Sequence, residues 1–125
     1  MKVDLALSGQ ISVPKFEAAR GDGLDLRRAC LLIGTEEAVL ENFSSSSRGE
    51  VPKLPYITMA APSAVDATQA PEGQDVVYIY PPVMPVNPNK GWDVIREQVA
   101  DQVVEQASQY VAGLKDQVIG RRIEA

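Results

Sequence analysis

Apolar residues recur every three or four positions along one long stretch of the C-terminal third, and this pattern constrains the fold more than any other. The residues that form it are Trp92, Ile95, Val99, Val103, Ala107, Tyr110 and Leu114. Side chains at this spacing lie on one face of an α-helix. The sequence therefore predicts a long helix packed on a core, interrupted at Gly113, with Gly120 as a C-terminal stop.

A second, shorter helix is predicted to begin after Thr35. Thr35 is a good N-cap residue, and Glu36 and Glu37 follow in the first turn, where the helix dipole favours negative charge. The predicted inner face of this helix consists of Ala38, Val39 and Phe43. The helix is expected to fray into the serines at 44–47.

Strands are predicted where apolar and polar residues alternate. Residues 2–8, 55–61 and 75–80 place every second side chain on the same face, as a half-buried strand requires. A short apolar strand is predicted at 30–33, and residues 121–125 are expected to open another.

The segment between the first two strands carries weaker signals. Residues 11–16 are expected to stay extended, with Pro14 restricting them to a sheet edge. Residues 17–28 are interpreted as a charged loop that contains glycine. Cys30 is expected to be a buried small apolar side chain.

Together these elements predict a single α+β domain, residues 1–125, of the ferredoxin-like sandwich type. Such a domain has a mostly antiparallel sheet with two helices on one face. The predicted inner face of the sheet consists of Val3, Leu5, Leu7, Ile57, Met59, Val77 and Ile79. We call the other face the open face; its predicted members are Asp4, Ala6, Ser8, Tyr56, Thr58, Ala60, Tyr78 and Tyr80.

The open face supplies the candidate binding residues. It carries small, hydroxylated and aromatic side chains where a solvated face would carry more Lys and Glu, so we expect a ligand or a partner to cover it. Tyr78, Tyr80 and Thr58 are candidate substrate contacts; the alternative for the tyrosines is packing against a loop or a neighbouring chain. Asp4 is either a polar substrate contact or general base, or a solvated or lysine-paired aspartate. Met84 is either at the mouth of the cavity or a filler of a packing gap.

Several classes of function are excluded by residues that the sequence lacks. With no histidine and one cysteine, it has no Ser-His-Asp triad, Cys-His pair or usual zinc site. It also lacks the glycine-rich loops that bind dinucleotides or nucleoside phosphates. The net charge of −5 argues against nucleic-acid binding. No catalytic or metal-binding residue is predicted, and the absence of a signal peptide or membrane span makes the cytoplasm the expected compartment.

The ordered segments KVDLALSG, LLIGTEEAVLENF, PYITMAAPSAVDATQAPEGQDVVYIY and GWDVIREQVADQ resemble the phytoene dehydrogenase-related family of flavin oxidoreductases. The similarity covers nearly the whole chain, and it lies in the order of the motifs rather than in any one of them. The matching residues are Pro62-Ser63, Asp66, Ala70-Pro71, Gly73, Gly91-Trp92 and Val118 to Arg121.

The resemblance implies that the chain is the substrate-binding segment of a longer flavoprotein. Members of the family bind FAD through an N-terminal Rossmann motif and a C-terminal segment, and neither motif is present here. Their substrate domain lays its sheet over the flavin and encloses an apolar substrate, a polyene in the carotenoid desaturases. FAD is therefore expected in the parent protein but not on this segment alone, which is expected to be inactive.

The partners implied are the FAD-binding domain of the parent and an apolar small molecule. The resemblance leaves open whether the parent docks on a membrane. A second hypothesis is a free-standing ferredoxin-like module that forms a homodimer through its open face. Both hypotheses predict that this face becomes buried.

Overall fold

The computed structural model describes all residues from Met1 to Ala125. Its elements are, in chain order, β1 (Lys2–Leu7), α1 (Pro14–Arg20), β2 (Leu31–Ile33), α2 (Glu36–Ser47), β3 (Ile57–Ala60), β4 (Asp75–Tyr80), α3 (Trp92–Ser108) and β5 (Val118–Glu124). The strands form one sheet in the order β2-β3-β4-β1-β5, with every neighbouring pair antiparallel. The predicted α+β class is therefore confirmed.

The core lies between one face of this sheet and α3. All seven residues predicted for the inner face are buried, and from α3 they are joined by Ala100, Val103, Val104 and Ala107. Alternate strand residues stay partly exposed, which is the pattern of a sheet with one covered face. The predicted inner face of the sheet is therefore confirmed.

The proline-rich corner, residues 81–88, and the start of α3 hold each other in place. Gly91 precedes the helix with φ of 76°, a conformation that glycine adopts without strain. The indole Nε1 of Trp92 donates a hydrogen bond of 3.2 Å to the carbonyl oxygen of Val86. The corner therefore returns the chain from β4 to α3.

Two local predictions near the first strands are wrong, and the start of the last strand was predicted too late. Residues 14–20 form α1 rather than an extended edge, because Pro14 sits in the first turn, where its missing N–H costs nothing. Cys30 is exposed and precedes β2 instead of lying in the core. The last strand begins at Val118, earlier than residue 121, and pairs with β1 along its length.

Helix α2 is rotated about its axis relative to the prediction, since Ala38 and Val39 are half-buried but Phe43 is exposed. Phe43 is 61% exposed and Leu40 is 69% exposed, while the buried residues are Asn42 and Ser45. The reason is the segment before β3, which contains prolines and leaves backbone groups without sheet partners. Asn42 donates to the Leu54 carbonyl (3.0 Å) and accepts from the Tyr56 amide (2.6 Å).

Replacing Asn42 with alanine should therefore destabilise the domain although it removes no apolar surface. Two partly buried backbone groups would lose their partner, which costs up to about 1–3 kcal/mol for each unsatisfied group. Phe43→Ala, the matched control on the same helix, should change the free energy of unfolding by less than about 0.5 kcal/mol. Urea denaturation of both variants measures the difference; a larger loss for Phe43→Ala would contradict this orientation of α2.

Candidate functional site

The sheet register brings most of the predicted site residues together on the open face. Tyr78 lies opposite Asp4 on β1 and opposite Ala60 on β3. Tyr80 lies opposite Thr58, whose hydroxyl donates a 2.9 Å hydrogen bond to the Tyr80 carbonyl oxygen. Because directly opposed residues share a face, these side chains form one continuous surface.

Tyr78 is partly buried although its face has no second layer. Its neighbour on β3 is Ala60, a small residue, and the thiol of Cys30, which precedes β2, lies near the Tyr78 phenol. Burial raises the pKa of the phenol above its ordinary value, and the nearby thiol raises it further. Tyr78 is therefore a neutral phenol at physiological pH, an apolar surface with a polar tip.

A groove of about 590 Å³ lies on the open face beside Tyr78. Strands β4, β1 and β5 provide most of its lining, and the loop between β3 and β4 contributes the rest. The lining residues are Lys2, Asp4, Leu5, Ala6, Pro62, Gln69, Val76, Val77, Tyr78, Gly120, Arg121 and Arg122. Its volume falls in the range of small-molecule sites, about 300–1,000 Å³.

Charged side chains at one end of the groove are paired with one another. The Lys2 ammonium lies 2.7 Å from the Asp4 carboxylate, and Arg122 lies 2.9 Å from Glu124. Lys2 is opposite Glu124, and Asp4 is opposite Arg122, so the charges alternate across β1 and β5. We call these four residues the charge quartet. Asp4 is therefore a lysine-paired aspartate that remains within reach of the groove.

Arg121 lines the groove, but its guanidinium is paired with residues of α3 and does not face the groove's other charges. Its guanidinium pairs with Glu97 at 2.6 Å and also with Asp101, both on α3. These contacts raise the pKa of Arg121, the hydrogen bond to Asp101 most of all, and they join β5 to α3.

Met84 does not lie with the other four predicted residues. It packs partly buried against the core and lines a different surface groove, in which Phe43 and Val86 also take part. It therefore fills a gap beneath the proline-rich corner, and a contact between Met84 and substrate stays a prediction.

The loop beside the groove is anchored by a buried carboxylate. The Asp75 side chain is fully buried and accepts hydrogen bonds from Arg27 at 2.6 and 2.9 Å. It also accepts from the Ser63 hydroxyl at 2.7 Å and from the Ile11 amide at 3.0 Å. Burial opposes ionisation, but the hydrogen bonds from Arg27, Ser63 and Ile11 and the Arg27 charge together lower the Asp75 pKa. We call these four residues the Asp75 network.

The loop motif found in the sequence has a structural role in this arrangement. Pro62 and Ser63 begin a short 3-10 helix, and the Asp66 carboxylate accepts from the Thr68 amide and hydroxyl. Gly73 has φ of 77° in the turn that leads into β4. The motif therefore shapes the loop that places Gln69 beside the groove.

Sequence reasoning missed Gln69, Gly120 and Arg122 as groove residues. No periodic signal identifies Gln69, because it lies in a loop. The other two lie on a strand that was predicted to begin one residue too late to include Gly120. Alternation from Val118, which pairs with the core residue Leu7, would have assigned Gly120 and Arg122 to the core face. The register shift between Ala6 and Leu7 places them on the open face instead, and no sequence pattern shows that shift.

A second cavity, of about 430 Å³, lies outside β2 and is almost wholly apolar. Phe16 and Tyr110 flank it, with ring centroids 6.1 Å apart. Arg20 is its charged lining residue, and the Arg20 guanidinium is already bonded to Asp22. The open-face groove, which combines apolar surface with polar groups, is therefore the better candidate for ligand recognition.

The chain does not provide a dinucleotide site of the Rossmann type. That site requires parallel strands joined by a helix, with a glycine-rich turn at the helix N-terminus. Every strand pair here is antiparallel. No group of side chains suited to a metal ion is present, and no helix is long and apolar enough to cross a membrane.

Comparison with known proteins finds similarity to part of a longer protein. The chain is 30% identical over 120 residues to the pyridine nucleotide-disulfide oxidoreductase domain-containing protein 2 of Rattus norvegicus. The chain is therefore similar to a segment of that protein. The match covers 89% of the chain and 21% of the relative, so the chain spans a minor part of that protein.

The other comparisons add no closer assignment. No family model matches the chain. No solved structure matches it. The predicted relationship to oxidoreductases is therefore confirmed in general terms, while the closer relationship to phytoene dehydrogenases stays a prediction.

Proposed function

We propose that this chain is the substrate-binding domain of a longer FAD-dependent oxidoreductase of the phytoene dehydrogenase-related kind. The observation that carries the proposal is the match to part of an oxidoreductase, which aligns with 89% of this chain. The fold supports it, because one face of the sheet is fully covered and the other presents a groove beside Tyr78. The domain would enclose an apolar substrate between this face and a cofactor held elsewhere in the parent.

In this proposal the open face binds and orients the substrate and performs no chemistry. The Tyr78 and Tyr80 rings and Thr58 form an apolar wall with polar tips. Asp4, held by Lys2, is a fixed polar contact rather than a proton acceptor. The redox step would convert a carbon–carbon or carbon–nitrogen single bond to a double bond, with a hydride from a C–H bond passing to the flavin and a proton from the neighbouring atom passing to solvent, so we assign no catalytic residue here.

The main partner in the proposal is the FAD-binding domain of the parent. It would cover the open face and thereby exclude water from the groove. Burial of the charge quartet beneath such a domain is feasible because each charge already has an opposite partner.

The proposal is tested by purifying the product of the complete reading frame that contains this sequence. We expect that product to carry the visible absorption of bound FAD, close to one flavin per chain. We expect the isolated 125-residue chain to be colourless and to leave FAD fluorescence unchanged. A complete product that neither retains nor binds FAD would contradict the proposal, as would a reading frame confined to these residues.

A second candidate, a stand-alone module that forms a homodimer, is favoured by exposed apolar side chains on the same face. Leu32, which lies opposite Thr58, is 66% exposed, and Tyr80 is 43% exposed. Sedimentation of the isolated chain distinguishes the candidates. A dimer that Tyr80→Lys disrupts, in a reading frame without a flavin domain, would favour the module over the substrate domain.

A further inference from the structure

The sheet has two edge strands, and only one of them carries features that prevent pairing with another chain. Strand β5 has a register irregularity and the charged residues Arg121, Arg122 and Glu124. Charges and irregularities of this kind hinder the addition of a further strand. Strand β2, at the other edge, is a run of apolar residues with neither feature. The β2 edge is therefore the one that is open to pairing.

The backbone at the β2 edge has no partner on its outer side. Strand β2 pairs only with β3, and no backbone group of residues 30–34 makes a hydrogen bond outside that pairing. The extended backbone continues beyond the strand to Ala29 (ψ 155°) and to Thr35 (ψ 162°). We call residues 29–35 the edge segment. It presents a row of unpaired donors and acceptors, with which a further strand can pair.

Apolar side chains surround the edge segment. Leu32 is 66% exposed, and it lines the apolar cavity of about 430 Å³ outside β2. Phe16 and Tyr110 line the same cavity and are exposed as well. A contiguous group of exposed apolar side chains marks a surface that a partner covers.

The charges at the two ends of the edge segment identify that partner. Arg28 comes directly before the segment and Glu36 directly after it; both are exposed, and neither forms an ion pair within the chain. They are equally distant along the chain from Leu32. In an antiparallel pair of two edge segments centred on Leu32, Arg28 of each copy lies opposite Glu36 of the other. The segment is thus complementary in charge to itself, as the interface of a two-fold dimer has to be.

We propose that the β2 edge is a dimerisation surface, where a second copy of this chain pairs antiparallel with the first across a two-fold axis. The two five-stranded sheets then form one continuous sheet. Leu32 faces Leu32 of the second copy on the axis, and Leu31 pairs with Ile33 on either side of it. The proposal goes beyond the proposed function, because the β2 edge is separate from the groove beside Tyr78.

The register and the choice of a second copy both follow from the charges. A slip of one residue would turn every side chain to the other face, so the smallest alternative register is a slip of two. That slip would leave only one residue of β2 paired within both strands and would separate Arg28 from Glu36. A strand from another protein would pair with the same backbone, but a second copy supplies an opposite charge at both ends.

The test is sedimentation of the isolated chain from about 1 μM to about 1 mM, the range of weak protein affinities. We expect an equilibrium between monomer and dimer. Leu32→Lys should abolish the dimer in this range, because it places like charges opposite each other on the axis. The matched control is Val94→Lys, at an exposed valine on α3, and it should leave the dimer unchanged.

An exchange of charges tests the register. Arg28→Glu should raise the dissociation constant of the dimer at least about fivefold, since two attractive pairs become two repulsive ones. Combining Arg28→Glu with Glu36→Arg should restore the constant to within about twofold, because the pairs are attractive again. The control combines Arg28→Glu with Glu37→Arg, which alters the same first turn of α2 but not the paired position. It should leave most of the loss in place.

Four results would overturn the inference: a wild-type chain that stays monomeric, a dimer that withstands Leu32→Lys, a charge exchange that does not restore the dimer, and a dimer that Tyr80→Lys disrupts. The last would place the contact on the open face instead of the edge. Circular dichroism of each variant confirms that it is folded. The proposed function fails separately, through the absence of FAD from the complete product, because none of these measurements involves a flavin.

Discussion

Replacing Asp75 with alanine is expected to lower the free energy of unfolding by about 3–5 kcal/mol, the usual cost of removing one partner of a buried ion pair. Asp75 is fully buried, and its carboxylate joins β4 to Arg27, to the loop at Ser63 and to the backbone of Ile11. Alanine would leave the guanidinium, the hydroxyl and the amide without an acceptor. Urea denaturation at neutral pH measures the loss.

The matched control for this variant is Asp22→Ala. Asp22 also pairs with an arginine, Arg20, but both side chains are more than two-fifths exposed. A surface pair of this kind contributes about 0–1 kcal/mol. Equal losses for Asp75→Ala and Asp22→Ala would show that the Asp75 network does not hold the fold together.

The Asp75 network also makes the free energy of unfolding depend on pH. The pKa of Asp75 lies below its ordinary value of 3.8 in the folded protein, whereas the unfolded chain titrates near about 3.9. The stabilisation is therefore fully present above the unfolded pKa and is lost as the pH falls through the folded pKa. The difference between wild type and Asp75→Ala should be largest above about pH 5 and should shrink in acid.

Replacing Ile79 with alanine is expected to cost about 2–5 kcal/mol, the range for truncating a large buried side chain to alanine. Ile79 is 0% exposed in the middle of β4, and it faces the layer formed by α3. The loss combines the missing hydrophobic transfer free energy with the cavity that remains. Thermal and urea denaturation should agree on its size if unfolding is two-state.

Tyr80→Ala is the control for Ile79→Ala on the same strand. Tyr80 points to the open face and is 43% exposed, so its truncation should cost about 1 kcal/mol or less in the isolated chain. The two substitutions therefore distinguish the core face from the open face. A larger loss at Tyr80 would mean that the open face is already covered in the isolated chain.

The two faces of the sheet could be predicted because the alternation of apolar and polar residues within a strand is a local sequence pattern. Alternation in β1, β3 and β4 assigns Val3, Met59 and Ile79 to the core, and the structure buries all three. The stripe of α3 was equally clear, since Ile95, Val99, Val103 and Ala107 are all buried. The same alternation identified the open face, including Tyr78 and Thr58, before the strand order was known.

The parts that could not be predicted depend on polar contacts between distant segments. Helix α2 buries Asn42 rather than Phe43 because unpaired backbone groups near residue 55 need a hydrogen-bonding partner. Asp75, the first residue of β4, accepts a hydrogen bond from the amide of Ile11, which is 64 positions away in the chain. The groove likewise depends on β5 lying beside β1, which no local pattern specifies.

The alkylation rate of the Cys30 thiol is the most direct measurement of whether the open face is covered in the parent protein. Its thiol is exposed beside the Tyr78 phenol in this domain. Alkylation by iodoacetamide, followed by mass spectrometry of the peptide that contains Cys30, can be timed in the isolated chain and in the product of the complete reading frame. We expect at least about tenfold slower alkylation in the complete product, because the proposed flavin domain would restrict access to this face. Equal rates in the two proteins would contradict it.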